Sequence, residues 1–147
     1  MKTSRVRVDV SWGRSTDTAL LRRVVARGLG VDLEELVERR LCPACGAADH
    51  GRPSVRHQGV SAGWVSLSRH ADVAVAAWSP DAAVGIDVDD VAAGVAWVRR
   101  EARGKTDGSG ITGADPTHVV TQSLSAPDGL VAALAVDAPA PWSITLT

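Results

Sequence analysis

Residues 84–89 read Val84-Gly85-Ile86-Asp87-Val88-Asp89, an alternation of apolar and acidic side chains that only a strand accommodates cleanly. Successive strand residues point to opposite faces, so Val84, Ile86 and Val88 share one face and Asp87 and Asp89 share the other. A second segment comes shortly after: Trp97-Val98-Arg99-Arg100-Glu101-Ala102-Arg103-Gly104-Lys105. Wound as a helix, it sets Trp97, Glu101 and Lys105 on one face at four-residue spacing. Three carboxylates and one amine can therefore converge on a hard divalent cation and a phosphate. Mg²⁺ takes oxygen ligands of this kind and leaves room for phosphate oxygens.

The rest of the chain supplies a frame. Val6, Val8 and Val10 alternate, which predicts an opening strand over 5–10. Residues 16–30 form a helix pattern: Thr16 or Asp17 to cap it, Leu20, Leu21, Val24, Val25 and Leu29 as the apolar stripe, Gly30 to end it. Asp32 with Glu35 resembles a capping box and predicts a short helix to about Arg40. Residues 41–63 read as loop with at most a short strand. Residues 64–68 alternate as a strand, and residues 69–72 read as a turn or a short helix start. The continuous apolar run 73–78 suits a strand or a buried helix, and periodicity alone does not choose. Residues 92–105 predict the second main helix, stopped by Asp107-Gly108-Ser109-Gly110. Residues 119–123, 130–136 and 143–146 are strand candidates, with Ala126-Pro127-Asp128-Gly129 as a hairpin turn. The order strand, helix, strands occurs twice. It predicts an α+β fold of two similar halves, 1–83 and 84–147, each a small antiparallel sheet with a packed helix.

Bulk properties narrow the classes. The 147 residues suffice for one domain with a real core, and 45% hydrophobic content argues against disorder. Five Trp stand beside no Phe and no Tyr, so Val, Ala and Leu must fill most of the interior. A net charge of −1 gives no basic field for nucleic acid. Arginines cluster at positions 22, 23, 27, 39 and 40, and again at 99, 100 and 103 with Lys105. They are either solvated helix faces or a grip on an anionic ligand. The N-terminus carries no secretory pattern, and the longest apolar runs are too short to span a bilayer. The expectation is a soluble, cytoplasmic chain with no membrane partner.

Cys42-Pro43-Ala44-Cys45-Gly46 spaces its thiols for a metal knuckle or redox pair rather than a structural disulfide. With His50 and one further ligand it could hold zinc, although the usual second ligand pair is not evident. A turn with reduced cysteines is the other reading.

Several strings together carry a resemblance. Residues 21–31, Leu-Arg-Arg-Val-Val-Ala-Arg-Gly-Leu-Gly-Val, are similar to the first helix of 4′-phosphopantetheinyl transferases of the longer, surfactin-synthetase type. Cys42-Pro43-Ala44-Cys45-Gly46 and His50-Gly51-Arg52-Pro53 resemble that family's Cys-rich turn and His-Gly-Lys/Arg-Pro motif. Val65-Ser66-Leu67-Ser68 resembles its Asn-Leu-Ser-His-Ser strand end. Residues 85–89 look like its Gly-Val/Ile-Asp-Val/Ile-Glu motif, and residues 97–105 like its Trp-x-x-Lys-Glu-Ala-x-x-Lys helix. The strings occur in family order across most of the chain.

The resemblance implies a pseudo-twofold transferase fold and a Mg²⁺-dependent enzyme. Such an enzyme moves the 4′-phosphopantetheine arm of coenzyme A to a serine of an acyl or peptidyl carrier protein. It implies Mg²⁺ on Asp87, Asp89 and Glu101, Glu101 as the base for the carrier serine, and Lys105 on the departing 3′,5′-ADP. Arg52, His50 and the Ser68-Arg69-His70 turn would hold the coenzyme A phosphates. The chain also departs from the pattern. Arg69 stands where the family has His, with His70 one place later; Arg100 replaces Lys; Asp89 replaces Glu. Only eleven residues separate Asp89 from Glu101, where the family has a longer insertion with another helix that contributes to carrier recognition.

Plainer readings stand beside these. Asp87 and Asp89 could be solvated edge-strand carboxylates, and Glu101 with Lys105 an ordinary helix-surface pair worth a few tenths of a kcal/mol. Trp97 reads as core, His50 as turn or ligand contact, and His57 and His118 as surface residues. Two other functions fit the sequence: a pseudoenzyme that binds coenzyme A or a carrier without transfer, or a small zinc-knuckle interaction module. The sequence leaves open whether the chain acts as a monomer or a homodimer.

Overall fold

Valines at positions 8 and 10 turn inward and have no solvent exposure, so the first predicted strand forms and extends to β1 (Arg7–Arg14). The computed structural model describes residues 5–41, 45, 51–108 and 113–147. Helix α1 (Leu20–Leu29) starts four residues later than its capping signals predict, because Asp17 is spent on the preceding turn. Its Oδ1 accepts the Ala19 N–H at 2.9 Å, and its other oxygen pairs with Arg23. Gly30 ends α1 in the left-handed conformation. Ten residues make a marginal helix in water. Burial of Leu20, Leu21, Val24 and Val25 holds it, at about 1.5–3 kcal/mol per side chain.

The predicted helix over 32–40 is corrected. Asp32 and Glu35 do make their reciprocal contact, Asp32 N–H to Glu35 Oε2 at 2.9 Å, but only one 3-10 turn (Leu33–Glu35) forms. The chain then enters β2 (Leu36–Leu41), which pairs antiparallel with β3 (Arg52–His57), and β3 pairs with β4 (Val60–Ser61). Much of the expected 41–63 loop is thus strand in a small sheet. The predicted zinc ligands Cys42 and His50 lie outside the described residues; Cys45 is exposed.

The ambiguous apolar run is strand β6 (Val73–Ser79), directly after β5 (Trp64–His70). Val75 and Ala77 face one core and Ala74, Ala76 and Trp78 another, which is why no polar alternation marks it. Then come β7 (Val84–Asp90), a 3-10 turn (Val91–Ala93), α2 (Val95–Asp107), β8 (Val120–Leu124), β9 (Leu130–Val136) and β10 (Ser143–Leu146). The fold is mixed α+β, with two α-helices and three small sheets among the described residues.

Two sheets stack face to face. One has the order β10-β1-β6-β5, the other β7-β9-β8. Val8, Val10, Val75 and Ala77 from the first meet Ile86, Val88, Leu134 and Val136 from the second. Helix α1 covers the outer face of the first sheet, and α2 covers the outer face of the second through Val98 and Ala102 on Ala133 and Ala135. The layers therefore run helix, sheet, sheet, helix. Two details differ from the expected pair of antiparallel half-sheets. Strand β10 crosses from the 84–147 half to lie beside β1, and it does so in parallel, with Arg7 opposite Ser143. No helix among the described residues is long and apolar enough to cross a membrane.

Segment 113–119 is strapped onto α2 by arginines. Arg103 makes a two-pronged contact with Asp115, both bonds 2.8 Å, and Arg100 donates to the Gly113 carbonyl at 2.9 Å. The Arg103 hydrogen bonds hold the Asp115 carboxyl below its ordinary pKa. A lowered native pKa means that the unfolded form binds the proton more tightly. The strap therefore stabilises the fold above the ordinary carboxylate range and is lost as pH falls through the lowered value. Asp115→Asn is expected to speed hydrogen exchange at the Val119 amide, which donates to the Pro116 carbonyl, at neutral pH. The difference from the parent should vanish in acid; equal exchange rates at neutral pH would refute the strap.

Candidate active site

The site begins with a glycine. Gly85 lies on the same face of β7 as Asp87, under α2, and a Cβ placed on it would fall 1.9 Å from the Ala102 carbonyl oxygen and 3.1 Å from Lys105 Cβ. Only glycine lets the helix backbone come this close. That approach brings the end of Lys105 down onto the strand. Its ammonium donates to the Ile86 carbonyl at 2.9 Å, to Asp87 Oδ1 at 3.2 Å and to the Leu67 carbonyl at 3.4 Å. All three hydrogens are used, and the lysine ties α2, β7 and β5 together.

Serines on β5 complete the support. Ser66 Oγ accepts the Ile86 N–H at 3.0 Å, and Ser68 Oγ accepts the Val88 N–H at 3.1 Å. These strands belong to different sheets, and two buried hydroxyls form the seam between them. Ser68 also donates to Asp87 Oδ1 at 3.1 Å. Its single hydrogen is therefore committed to a carboxylate, and it works as a positioning residue for Asp87 rather than as a donor to a phosphate.

The parity of β5 decides the next two residues. Ser66, Ser68 and His70 share a face, and His70 Nδ1 sits 3.4 Å from Asp89 Oδ1. Arg69 falls on the alternate face, where its Nε donates to the Ser15 carbonyl at 3.1 Å. Of the predicted phosphate-binding turn, His70 joins the carboxylates and Arg69 faces the β1–α1 connection.

Charge accumulates around Lys105. Burial pushes the Asp87 carboxyl above its ordinary pKa, against the pull of Lys105 and Ser68, and Asp89 adds to the push. Burial also raises Glu101, and the charges of Asp87 and Asp89 raise it further against Lys105 and Arg100. Asp87, Asp89, Glu101 and Lys105 thus share one electrostatic neighbourhood, as the strand-plus-helix pattern predicts. Among the described residues, no three His, Cys, Asp or Glu side chains stand together as a formed metal cage. Asp87 is engaged by Lys105 and Ser68, and Asp89 is met by His70. The donor set nevertheless suits a hard cation. Its donors are carboxylate oxygens, and burial, with a smaller push from neighbouring carboxylates, makes Asp87 and Glu101 hold their protons more tightly.

Arg52 meets α2 beside Lys105. Its Nη2 donates to the Thr106 carbonyl at 2.6 Å, one residue past Lys105. It lines a groove of about 1170 Å³ with His57, Trp64, Pro80, Leu29 and Asp107. That volume accommodates a nucleotide-sized molecule. His57, expected at the surface, is partly buried; its Nε2 has no hydrogen-bond partner among the described residues and stands 3.7 Å from Glu35 Oε1, and Trp64 is 42% exposed. Sequence reasoning gave neither a place in the site. The strand pattern at 64–68 does mark Trp64 as outward-facing, whereas the position of His57 depends on β2–β3 pairing. His50 lies outside the described residues. Trp97, expected in the core, is 41% exposed; Val98 and Ala102 take the buried face instead.

No protein-family model matches the chain, and no curated protein matches it.

Proposed function

We propose that this chain is a small 4′-phosphopantetheinyl transferase, with the layered helix–sheet–sheet–helix arrangement as a reduced form of that family's pseudo-twofold fold. One observation carries the reading: Lys105 is seated on Asp87, with Asp89 and Glu101 in the same field, and the next residue, Thr106, is held by Arg52, which lines the groove. A substrate with a nucleotide at one end and a pyrophosphate toward the other matches that layout. Coenzyme A would place its nucleoside in the groove against Trp64 and Arg52. Its pyrophosphate would lie toward the carboxylates. Asp87, Asp89 and Glu101 would hold Mg²⁺, which when bound neutralises phosphate charge.

The chain's own residues account for the proton and charge movements. The serine oxygen of the carrier protein attacks the phosphorus that bears the pantetheine arm, and the bond from that phosphorus to 3′,5′-ADP breaks. Glu101, with its raised proton affinity, takes the serine proton. Lys105 faces the charge that builds on the departing 3′,5′-ADP. Ser68 and His70 hold Asp87 and Asp89 in place. Zinc has no part in this reading.

The test is incubation with coenzyme A, Mg²⁺ and a panel of apo acyl and peptidyl carrier proteins, read by intact mass. The expected result is a gain of one phosphopantetheine arm. Glu101→Gln should slow transfer by about 10²–10⁴-fold with an unchanged melting temperature. No gain on any carrier, or full activity in the variant, would overturn the assignment. A second reading, coenzyme A binding without transfer, draws on Lys105, whose hydrogens are all bonded within the protein. Calorimetric binding without any carrier modification would select it.

A further inference from the structure

Strands β2 and β3 form a ribbon whose register sorts its residues between two faces. Leu36 and Val55 are buried and mark the inner one. Paired residues share a face and alternate residues return to it, so Val37, Arg39, Arg52, Ser54 and Arg56 lie together on the outer face. All five are exposed. Arg39 stands directly opposite Ser54, with Arg52 and Arg56 two residues to either side on β3. Such diagonal neighbours are about 7–8 Å apart, within reach of long side chains. The chain does not neutralise this charge. Arg52 and Arg56 donate to the main-chain carbonyls of Thr106 and Gly59, and among the described residues none of the three arginines pairs with a carboxylate.

Those two contacts also fix where the charge is offered. Arg52 is drawn to the end of α2, and Arg56 to the hairpin turn beyond β3, with about 13 Å of strand between them. Guanidinium groups held that way do not close on one small anion; they match carboxylates spread over a surface. Val37, 48% exposed and directly opposite Arg56, adds an apolar contact among them. None of the side chains on this face is aromatic, so a nucleobase has nothing to stack on, and a net charge of −1 gives no wider field for nucleic acid. We propose that this face docks the carrier protein through an acidic surface of that partner. Naming the partner as the carrier rests on the transferase reading. The position suits that role. Arg52 meets α2 one residue past Lys105, and Glu101 lies one turn before Lys105. A protein resting on the ribbon therefore lies beside the helix end that bears the proposed base. Arg52 and Ser54 also line the groove, which sets the partner at its rim.

Calorimetric binding of apo acyl and peptidyl carrier proteins of graded negative charge, without coenzyme A, tests it. Affinity should rise with the carrier's negative charge and fall as salt is added. Arg39→Glu should weaken binding by about 10-fold or more, because a like charge then faces the acidic surface. Arg5→Glu makes the same charge change at an exposed position outside the ribbon and should weaken it by less than about 3-fold. Both variants should melt as the parent does; Arg39→Gln replaces Arg39→Glu if that variant melts early. In the transfer assay, Arg39→Glu should raise KM for the carrier and leave kcat and KM for coenzyme A unchanged. Carrier binding that needs Arg39, with no carrier ever modified, upholds the docking face and removes the transferase reading. Carriers modified equally well by the parent and Arg39→Glu overturn the docking face and leave the transferase reading standing. The proposal also falls if the parent binds no carrier, if Arg5→Glu weakens binding as much as Arg39→Glu, or if inorganic phosphate or single-stranded DNA displaces the carrier from the parent at equal concentration.

Discussion

Gly85→Ala is expected to be the most destabilising single-methyl change in this half of the chain. The added Cβ would sit 1.9 Å from the Ala102 carbonyl oxygen, and that oxygen is helix backbone, so no rotamer change relieves the overlap. Either α2 lifts or β7 bends. Overpacking of a filled interior costs about 1–3 kcal/mol, and a backbone clash belongs at the top of that range. For a domain of this size, about 3 kcal/mol lowers the melting temperature by roughly 6–12 °C. Lifting α2 also withdraws Lys105 from Asp87, so lost activity should accompany lost stability. A variant that melts within a degree or two of the parent would mean that the helix does not lie this close to the strand.

Lys105→Met should come next in effect, and its consequence depends on pH. The Asp87 side chain is only 11% exposed, and Lys105 supplies its counter-charge. Removing one member of a buried pair costs about 3–5 kcal/mol; the partial exposure of Lys105 places this case nearer 2–3 kcal/mol. Burial already raises the native pKa of Asp87, so the native state holds the proton more tightly than the unfolded chain does. Stability from that group is therefore complete below the ordinary carboxylate range and is lost as pH rises through the raised value. Without the lysine the raised value climbs further. The variant should be weakest at neutral pH and converge on the parent in acid. Asp87→Asn added to Lys105→Met removes the stranded charge and should recover much of the stability at neutral pH, with transfer still absent. Chemical denaturation at two pH values reads all of this. A Lys105→Met protein as stable as the parent at neutral pH would show that the pair contributes nothing.

The carboxylate–lysine centre was legible because two local periods determine it. Alternation puts Asp87 and Asp89 on one face of β7, and four-residue spacing puts Glu101 and Lys105 on one face of α2. Gly85 in the motif is the visible trace of the close packing that joins them. The same parity applied one strand earlier separates His70 from Arg69: counting from Ser66 and Ser68 places His70 toward the carboxylates. The β2–β3 pair was hidden for a different reason. Leu-Val-Glu-Arg-Arg-Leu and Arg-Pro-Ser-Val-Arg-His carry little alternation of their own, and each is a strand because the other is there. Asp32 and Glu35 signal a turn start, but tertiary pairing makes the next residues a strand instead of a helix. Trp97 misled because size suggests burial, whereas α2 presents its small residues, Val98 and Ala102, to the sheet.

The hydroxyl seam between β5 and β7 has a consequence for how such a molecule can change. Main-chain ladders survive almost any side-chain substitution, since they use atoms that every residue shares. A junction made by Ser66 and Ser68 is written in two codons. Alanine at both positions would remove these two hydrogen bonds between the sheets, leaving the apolar core and Lys105 as the remaining links and the strands within each sheet fully paired. The boundary between the halves can therefore be loosened by mutation independently of the halves themselves.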